Sequence, residues 1–397
     1  MTVLMSRRQA LAGTLLAVPA LAWLTRGAQA AAGPAHLAGV VEAAVAPAMA
    51  EHGIPGLAVG VTANGERSVF NYGVASPESG RKVDDRTLFE VGSISKTFTA
   101  TLAAYAEARG TLSFSDAAAK HLPALAGSSF DRISLLDLGT YTAGGLPLQF
   151  PDDVTDEKTM IAYYRRWRPA YAPGTHRLYS NPSIGLFGYL AARSLGGSFA
   201  DLMEREILPP LGLGDTYVRV PNGEMDRYAL GTSRSGKPAR LSRGVFGAEA
   251  YGVKTTAADL VRFAEANMAG ATPEGTLGRA VAATHTGYYT VGGMTQGLGW
   301  EMYAYPTELE TLVAGTSPEM AREPHEVTRL APPRPPEAAA LINKTGSTNG
   351  FGAYVAFVPA KRIGVAILAN KPYPNPARVK AGYAILAALE ARPTVNP

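Results

Sequence analysis

The two ends of this chain carry one kind of pattern and the middle another, and that contrast most constrains what it can fold into. Near the start, "GLAVGVTANGERSVFNYGVAS" (Gly56–Ser76) is two β-rich runs around Asn64-Gly65. That dipeptide accepts the positive φ angles a two-residue hairpin turn requires. Near the far end, "FGAYVAFVPAKRIGVAILAN" (Phe351–Asn370) reads as two more strands joined at Pro359 to Arg362. Helical patterns flank both pairs. Leu37, Val41, Ala44, Val45, Ala48 and Met49 recur at helical spacing before a stop at Gly53. A last helix is expected from about Ala377 to Ala391, with Pro376 in its first turn.

From about Thr111 to Ala283 the chain is helical stretches between loops rich in Gly and Pro, with few convincing strands. "GSFADLMEREILPPLGLG" and "TTAADLVRFAEANMAG" read as amphipathic helices with glycine stops. Pro306 to Pro336 reads as an ordered surface loop. A chain of 397 residues exceeds one comfortable core. The expected organisation is an α/β lobe from 31–110 and 284–397, an inserted mostly helical lobe at 111–283, and a cleft between them.

Residues 1–30 read as an export signal. Arg7 and Arg8 precede the apolar run Ala10–Leu24, which Pro19 interrupts, and a small-residue exit ends at Ala30. The run is too short for a comfortable membrane span. The arginine pair fits the twin-arginine route, so a periplasmic location without a lasting membrane anchor is expected. Removing Arg7, Arg8 and Arg26 takes the basic count from 37 to 34 against 33 acids, leaving a net charge near +1. The apparent basicity belongs mostly to the leader, and no lysine-rich or aromatic–basic stripe remains, so nucleic acid is not an expected partner. With no cysteine there are no disulfides and no thiolate metal sites.

Three short stretches carry the candidate chemistry. "VGSISKTFTATLAAYAEARG" (Val91–Gly110) runs from a turn into a helix whose Phe98, Leu102 and Tyr105 share one face. Ser93 and Lys96 are one turn apart at its entrance, so their side chains can meet. An alcohol becomes a nucleophile when a base takes its proton, and a lysine can do so once burial or nearby charge lowers its pKa. The N–H groups at a helix start can stabilise negative charge on an attacked carbonyl. Alone, the pattern reads as readily as a helix cap with a surface lysine. S-x-x-K arises by chance about once in a chain of this length, and Ser79 to Lys82 repeats it.

"RLYSNPSIGLFGYLAA" sets Tyr179 and Asn181 before another apolar helix. A tyrosine of depressed pKa can relay protons, and an amide two residues on can bind a lysine and a substrate carbonyl. "LINKTGSTNGFGAYVAF" places Lys344-Thr345-Gly346 at the start of a strand. Glycine there permits close approach of a substrate, while Lys344 and Thr345 offer a charge and a hydroxyl to a carboxylate.

Together these triplets resemble the class C serine β-lactamases, the cephalosporinase type. "FEVGSISKTFTA", "YTAGGLPLQFPD", "RLYSNPSIGLFG", "AEAYGVKTT", "QGLGWEMY", "NKTGST" and "LANKPYPNPARV" follow that family's order and spacing over nearly the whole mature chain. The resemblance implies a β-lactamase/transpeptidase-like α/β fold: an antiparallel sheet flanked by helices, an inserted helical lobe, and an active site in the cleft. It implies a catalytic set of Ser93 as nucleophile, Lys96 as its proton partner, Tyr179 as general base or relay, and Lys344. The backbone N–H groups of Ser93 and Ser347 would form the oxyanion hole. Asn181 and Gln149 would hold the acylamide side chain, and Tyr251 would line the wall beside it. Lys344, Thr345, Asn375 and Arg378 would face the substrate carboxylate, with Gly346 allowing close approach. Neither metal nor organic cofactor is implied, the partner is a small β-lactam, and a monomer is expected. Asn349 and the loop "LSRGVFGAEAYG" depart from the family's commoner wording and bear on substrate range.

Rival chemistries are poorly served. No H-x-H-x-D, H-E-x-x-H or G-x-S-x-G pattern occurs. His176 reads as a packing or hydrogen-bonding residue, and Glu301 and the Asp152-Asp153 pair as solvated or hydrogen-bonded surface acids. The alternatives that share the fold are a D-Ala-D-Ala peptidase, an S-x-x-K carboxylesterase and a penicillin-binding sensor that acylates and stalls.

Overall fold

The computed structural model describes residues 33–242, 244–269 and 275–391. The expected leader at 1–30 lies outside the described residues. Ten strands form one sheet. In chain order they are β1 (Gly56–Ala63), β2 (Glu66–Ser76), β3 (Arg81–Lys82), β4 (Gly287–Val291), β5 (Met294–Gln296), β6 (Glu301–Ala304), β7 (Thr328–Arg334), β8 (Ala340–Ser347), β9 (Gly352–Val358) and β10 (Ile363–Ala369). Across the sheet they run β7-β4-β5-β6-β8-β9-β10-β1-β2-β3. The first strand from the N-terminal part therefore pairs antiparallel with the last strand of the chain, Leu57 opposite Ala369 and Ala63 opposite Ile363. Asn64 and Gly65 both take positive φ, and Ala63 faces Glu66 across a two-residue turn.

Helices α1 (Gly33–His52), α2 (Ser95–Ala108), α3 (Asn181–Ser194), α4 (Gly247–Tyr251), α5 (Ala257–Ala269) and α6 (Asn375–Glu390) place the site. Leu37, Val41 and Val45 of α1 and Val379, Ile385 and Leu389 of α6 share a core with the strand residues Leu57, Tyr354, Val365 and Ile367. The opposite face of the sheet packs on Leu260, Val261 and Phe263 of α5. Helix α5 thus joins the sheet although it lies within the 111–283 stretch assigned by sequence to the helical lobe. A second core, of Leu125, Phe130, Leu138, Tyr164, Ile184 and Phe187, belongs to the helical lobe.

Helix α2 lies between these two cores. Phe98 and Leu102 enter the sheet-side core, where Phe98 stacks on Phe263 with ring centroids 4.0 Å apart. Ala100, Ala103 and Ala104 enter the helical-lobe core. The sequence suggested one buried face, yet Ser95 to Ala104 is buried throughout. Thr97, Thr99 and Thr101 turn their hydroxyls to the carbonyls of Ile94, Glu249 and Thr97, which lets polar residues line a fully buried helix. The turn just before α2, at Ser93, lines a cleft together with Tyr179 and Lys344.

The stretch 306–336 differs from expectation. It contains helices Leu309–Gly315 and Pro318–Arg322 and the edge strand β7. Pro332 and Pro333 fit into this strand because they fall where its register with β4 shifts, between Arg329 opposite Tyr289 and Arg334 opposite Gly287, so the ladder there does not need their missing N–H groups. "GSFADLMEREILPPLGLG" also departs from a plain helix: an α-turn at Phe199–Leu202 runs into a π-helical turn at Met203–Ile207.

Candidate active site

Ser93 sits in a 3₁₀ turn, Gly92–Ile94, that leads directly into α2. This winding brings the Lys96 ammonium to 2.8 Å from the Ser93 hydroxyl. Lys96 is fully buried, and its Nζ also donates to the Ala250 carbonyl of α4 at 2.7 Å. Helix α4 is tied in turn to α2 through the Glu249 carbonyl and through Val253 N–H on the Ser95 hydroxyl.

Tyr179 arrives from the helical lobe. Ser180 caps α3 by accepting the Ser183 N–H, and Pro182 occupies the first turn, so the residue just before the cap projects past the helix mouth. Its ring lies 5.0 Å from both Lys96 Nζ and Lys344 Nζ, measured to the centroid. The phenol oxygen is buried and makes no formed hydrogen bond.

Lys344 comes from the sheet side on β8, whose backbone presses against the turn that carries Ser93. A Cβ on Gly346 would stand 1.9 Å from the Val91 carbonyl oxygen and 3.0 Å from the backbone nitrogen of Ser93. Gly92, at φ +52°, leaves no more room, since a Cβ there would meet the Ser347 nitrogen at 2.4 Å. Two glycines facing each other bring the end of β8 within reach of the nucleophile.

Electrostatics separate the three ionisable groups. Burial pulls the Lys96 ammonium below its ordinary value, and Lys344 adds to the effect. Burial pushes the Tyr179 phenol up, but the charges of Lys344 and Lys96 and the adjacent Ser93 hydroxyl outweigh it, leaving the phenol below the usual range. Burial opposes charge on Lys344, yet Glu301 and Tyr179 hold its ammonium above the ordinary value. The pocket therefore sets a hydroxyl beside a lysine and a phenol whose proton affinities are both lowered, and holds Lys344 as a firm cation.

Ser93, Tyr179, Lys344, Thr345, Gly346, Ser347 and Asn375 line a single cleft. Asn375 starts α6 and donates to the Thr316 carbonyl at 2.9 Å. Lys96 lies beneath the floor. Asn181 is buried at the start of α3, its N–H on the Leu148 carbonyl and its amide oxygen without a partner. Gln149 is exposed on the loop that this bond tethers. Tyr251 is half-buried, next to the residue whose carbonyl holds Lys96.

Arg378 does not face the cleft. It is buried under β8 and β9, where its guanidinium donates to the carbonyls of Gly346, Ala353 and Tyr373. With both terminal nitrogens on backbone carbonyls, it positions the strand instead of meeting a carboxylate. Glu301 also departs from its reading as a surface acid. It is buried on β6, bonds Lys344 at 3.0 Å, lies 3.6 Å from the Arg177 guanidinium, and lines the cleft. His176 stacks on Tyr171 at 4.0 Å and is not part of the cleft lining, and Asp152, Asp153 and Asn349 are exposed.

A nucleophile–base pair at a helix mouth, a perturbed tyrosine and a cation on an adjacent strand form an acyl-transfer constellation. Comparison with known proteins agrees. The beta-lactamase family model matches residues 41–390. A beta-lactamase of Pseudomonas fluorescens is 58% identical over 351 residues, which covers 88% of this chain and 98% of that protein. A class C beta-lactamase solved in complex with cefoxitin superposes with a TM-score of 0.86 at 45% identity, covering 89% of this chain and 99% of that one. A beta-lactamase/D-alanine carboxypeptidase from Pseudomonas syringae gives a TM-score of 0.87 at 45% identity over 90% of this chain and all of its own. By fold, by the arrangement of this cleft and by these relatives, the chain belongs to the class C beta-lactamases.

Proposed function

We propose that this protein hydrolyses β-lactams, cephalosporins foremost, through an acyl-enzyme on Ser93. The observation that carries this reading is the Ser93 hydroxyl, 2.8 Å from the buried Lys96 ammonium, beside a phenol that Lys344 and Lys96 hold below its ordinary pKa. The Ser93 oxygen attacks the lactam carbonyl, its proton passing into the Lys96/Tyr179 pair. The N–H groups of Ser93 and Ser347 receive the developing oxyanion. When the C–N bond breaks, the ring nitrogen takes the proton back from the pair. Water then attacks the ester, again losing its proton to the pair, which returns a proton to the departing Ser93 oxygen as the C–O bond breaks and the product acid leaves. Lys96 and Tyr179 interact so closely that their titration belongs to the couple.

Lys344, with Thr345 and Asn375 beside it, is the proposed partner of the ring carboxylate. The buried, unpartnered oxygen of Asn181 supports its role in holding the amide side chain, as such an atom is costly unless a ligand satisfies it. Export through the 1–30 leader places the enzyme in the periplasm, where it would protect against β-lactam antibiotics. A second reading, D-alanine carboxypeptidase activity, is favoured by the name of the P. syringae neighbour and uses the same groups.

The test is intact-mass analysis during cephalosporin turnover. An adduct on the wild-type protein that is absent from Ser93→Ala, with hydrolysis lost, is expected; undiminished hydrolysis by that variant removes the mechanism. Lys344→Ala should lose at least tenfold more kcat/KM on a carboxylate-bearing β-lactam than on a neutral ester, a difference of about 1.4 kcal/mol. Equal losses reject its assigned role. Parallel assays with a D-Ala-D-Ala peptide separate the two activities.

A further inference from the structure

The cleft holds a buried carboxylate that the chemistry above does not use. Glu301 sits against Lys344 at 3.0 Å and near Arg177 at 3.6 Å. Arg177 is itself buried and fixed, its Nε donating to Gln296 at 2.7 Å and its Nη1 to the Met320 carbonyl at 2.9 Å. Gln296 is pinned through its amide to the carbonyls of Gly297 and Trp300. The chain Gln296–Arg177–Glu301–Lys344 therefore reaches from the sheet interior to the wall of the cleft.

Such an arrangement needs a reason. A buried ion pair seldom adds stability over apolar residues of the same size, because two charges must leave water. For a lysine meant to bind an incoming carboxylate, a resident carboxylate is also a competitor. Its value becomes clear from the groups that surround Tyr179. Lys96 and Lys344 lie 5.0 Å from its ring and Arg177 lies 5.6 Å away. Ser93 approaches from the mouth of α2, and the Tyr141 ring packs at 4.8 Å from the helical lobe. The acid facing this group is Glu301, itself flanked by Lys344, Arg177 and the phenols of Tyr303 and Tyr354. Three cations thus surround one phenol in a site of low dielectric. With Glu301 and the Tyr179 phenolate ionised, one positive charge is left over, which the ring carboxylate of a substrate would balance.

We propose that Glu301 is a positioning residue for the reaction: it clamps the Lys344 ammonium and offsets one of the three positive charges around Tyr179, keeping that phenol a competent base. The inference rests on the reading of Tyr179 as proton acceptor. Without the carboxylate, the unopposed cations would hold the phenolate so tightly that it becomes a weaker base. The amide of Glu301→Gln can still accept from Lys344, so that variant removes charge while keeping the contact. Glu301→Asp keeps the charge and shortens the reach.

The experiment titrates Tyr179 directly, by NMR on protein carrying ring-labelled tyrosine, with Tyr179→Phe assigning the resonance. The pH profile of kcat/KM on a cephalosporin is recorded beside it. In Glu301→Gln the phenol should titrate at lower pH than in wild type, beyond the scatter of replicates, and the acid limb of kcat/KM should move with it. In Glu301→Asp the phenol should stay near the wild-type position, as it should in the exposed control Asp152→Asn. A phenol titration unchanged in Glu301→Gln overturns the proposal, whatever the rates do. A phenol that shifts while the rate limb stays put supports the charge role of Glu301 and refutes Tyr179 as the base. Should Glu301→Gln fail to fold, Arg177→Met removes a cation from the same cluster and must move the phenol to higher pH; no movement is again a refutation.

Discussion

Gly346→Ala tests how closely the catalytic strand must approach the nucleophile. The added methyl would stand 1.9 Å from the Val91 carbonyl oxygen and 3.0 Å from the backbone nitrogens of Ser93 and Ile94. These are all backbone atoms, so no change of rotamer can relieve the contact. Restoring even a tight 3.0 Å to the carbonyl requires strand β8 and the Gly92–Ile94 turn to part by about 1 Å. The turn carries Ser93, and the strand carries Lys344, Thr345 and the Ser347 N–H. The separation therefore falls between the attacking oxygen and the groups that receive the oxyanion and the carboxylate. A displacement of that size costs about 10²-fold in rate, or about 2.7 kcal/mol of transition-state stabilisation. Overpacking at a buried site costs about 1–3 kcal/mol of stability. The assay is kcat/KM on a cephalosporin together with a chemical denaturation curve, and adduct formation followed by mass shows whether acylation is the slowed step. Activity within threefold of wild type, with unchanged stability, would refute the close approach on which the oxyanion assignment depends.

Two other substitutions probe the supports of the site. Arg378→Met should lower unfolding free energy by about 2–4 kcal/mol, because three buried carbonyls lose their donor; the preference for carboxylate-bearing substrates over neutral esters should stay as in wild type, and a collapse of that preference would return Arg378 to the binding set. Burial pushes the Glu249 carboxyl up to about 7. Its folded value thus exceeds the unfolded one near 4.5, so the native state holds an extra proton between those values; the stability this contributes is complete below pH 4.5 and lost as pH rises through 7. Glu249→Gln should therefore stabilise the protein at pH 8 by about 2–3 kcal/mol relative to its effect at pH 4.5, read from denaturation curves at both values. Equal effects at the two pH values would show that the carboxyl is not held neutral.

How far the sequence could be read depended on whether a signal was local. The Asn64-Gly65 turn needed only two φ angles, and the hairpin it closes is where the pattern placed it. Ser93 and Lys96 needed only helical winding to meet. Glu301 was misread because its surroundings in "GLGWEM" carry no partner; Lys344 and Arg177 stand far along the chain and reach it only through the folded sheet. A clue was present, since an acid opening a strand that follows the apolar stretch Leu298–Trp300 is poorly placed for solvent. Arg378 followed family expectation into the binding set, but helix α6 turns it under β8, where the carbonyls of Gly346, Ala353 and Tyr373 take its terminal N–H groups. The edge strand β7 was hidden by Pro332 and Pro333, whose missing N–H groups are tolerated only because they fall in the irregularity where the register with β4 shifts, which the local sequence does not announce.

What the amino-acid sequence determined by itself is which residues could do chemistry and which stretches would pair: alternation, turn dipeptides and helical spacing act over a few residues, and their physics needs no partner. What the tertiary structure decided is the charge each group carries. Lys96, Tyr179 and Lys344 depart from ordinary proton affinity only because two lobes close around them, exclude water and set charged groups within a few ångströms. Coulomb interaction and desolvation depend on distance in space, and distance along the chain does not encode it.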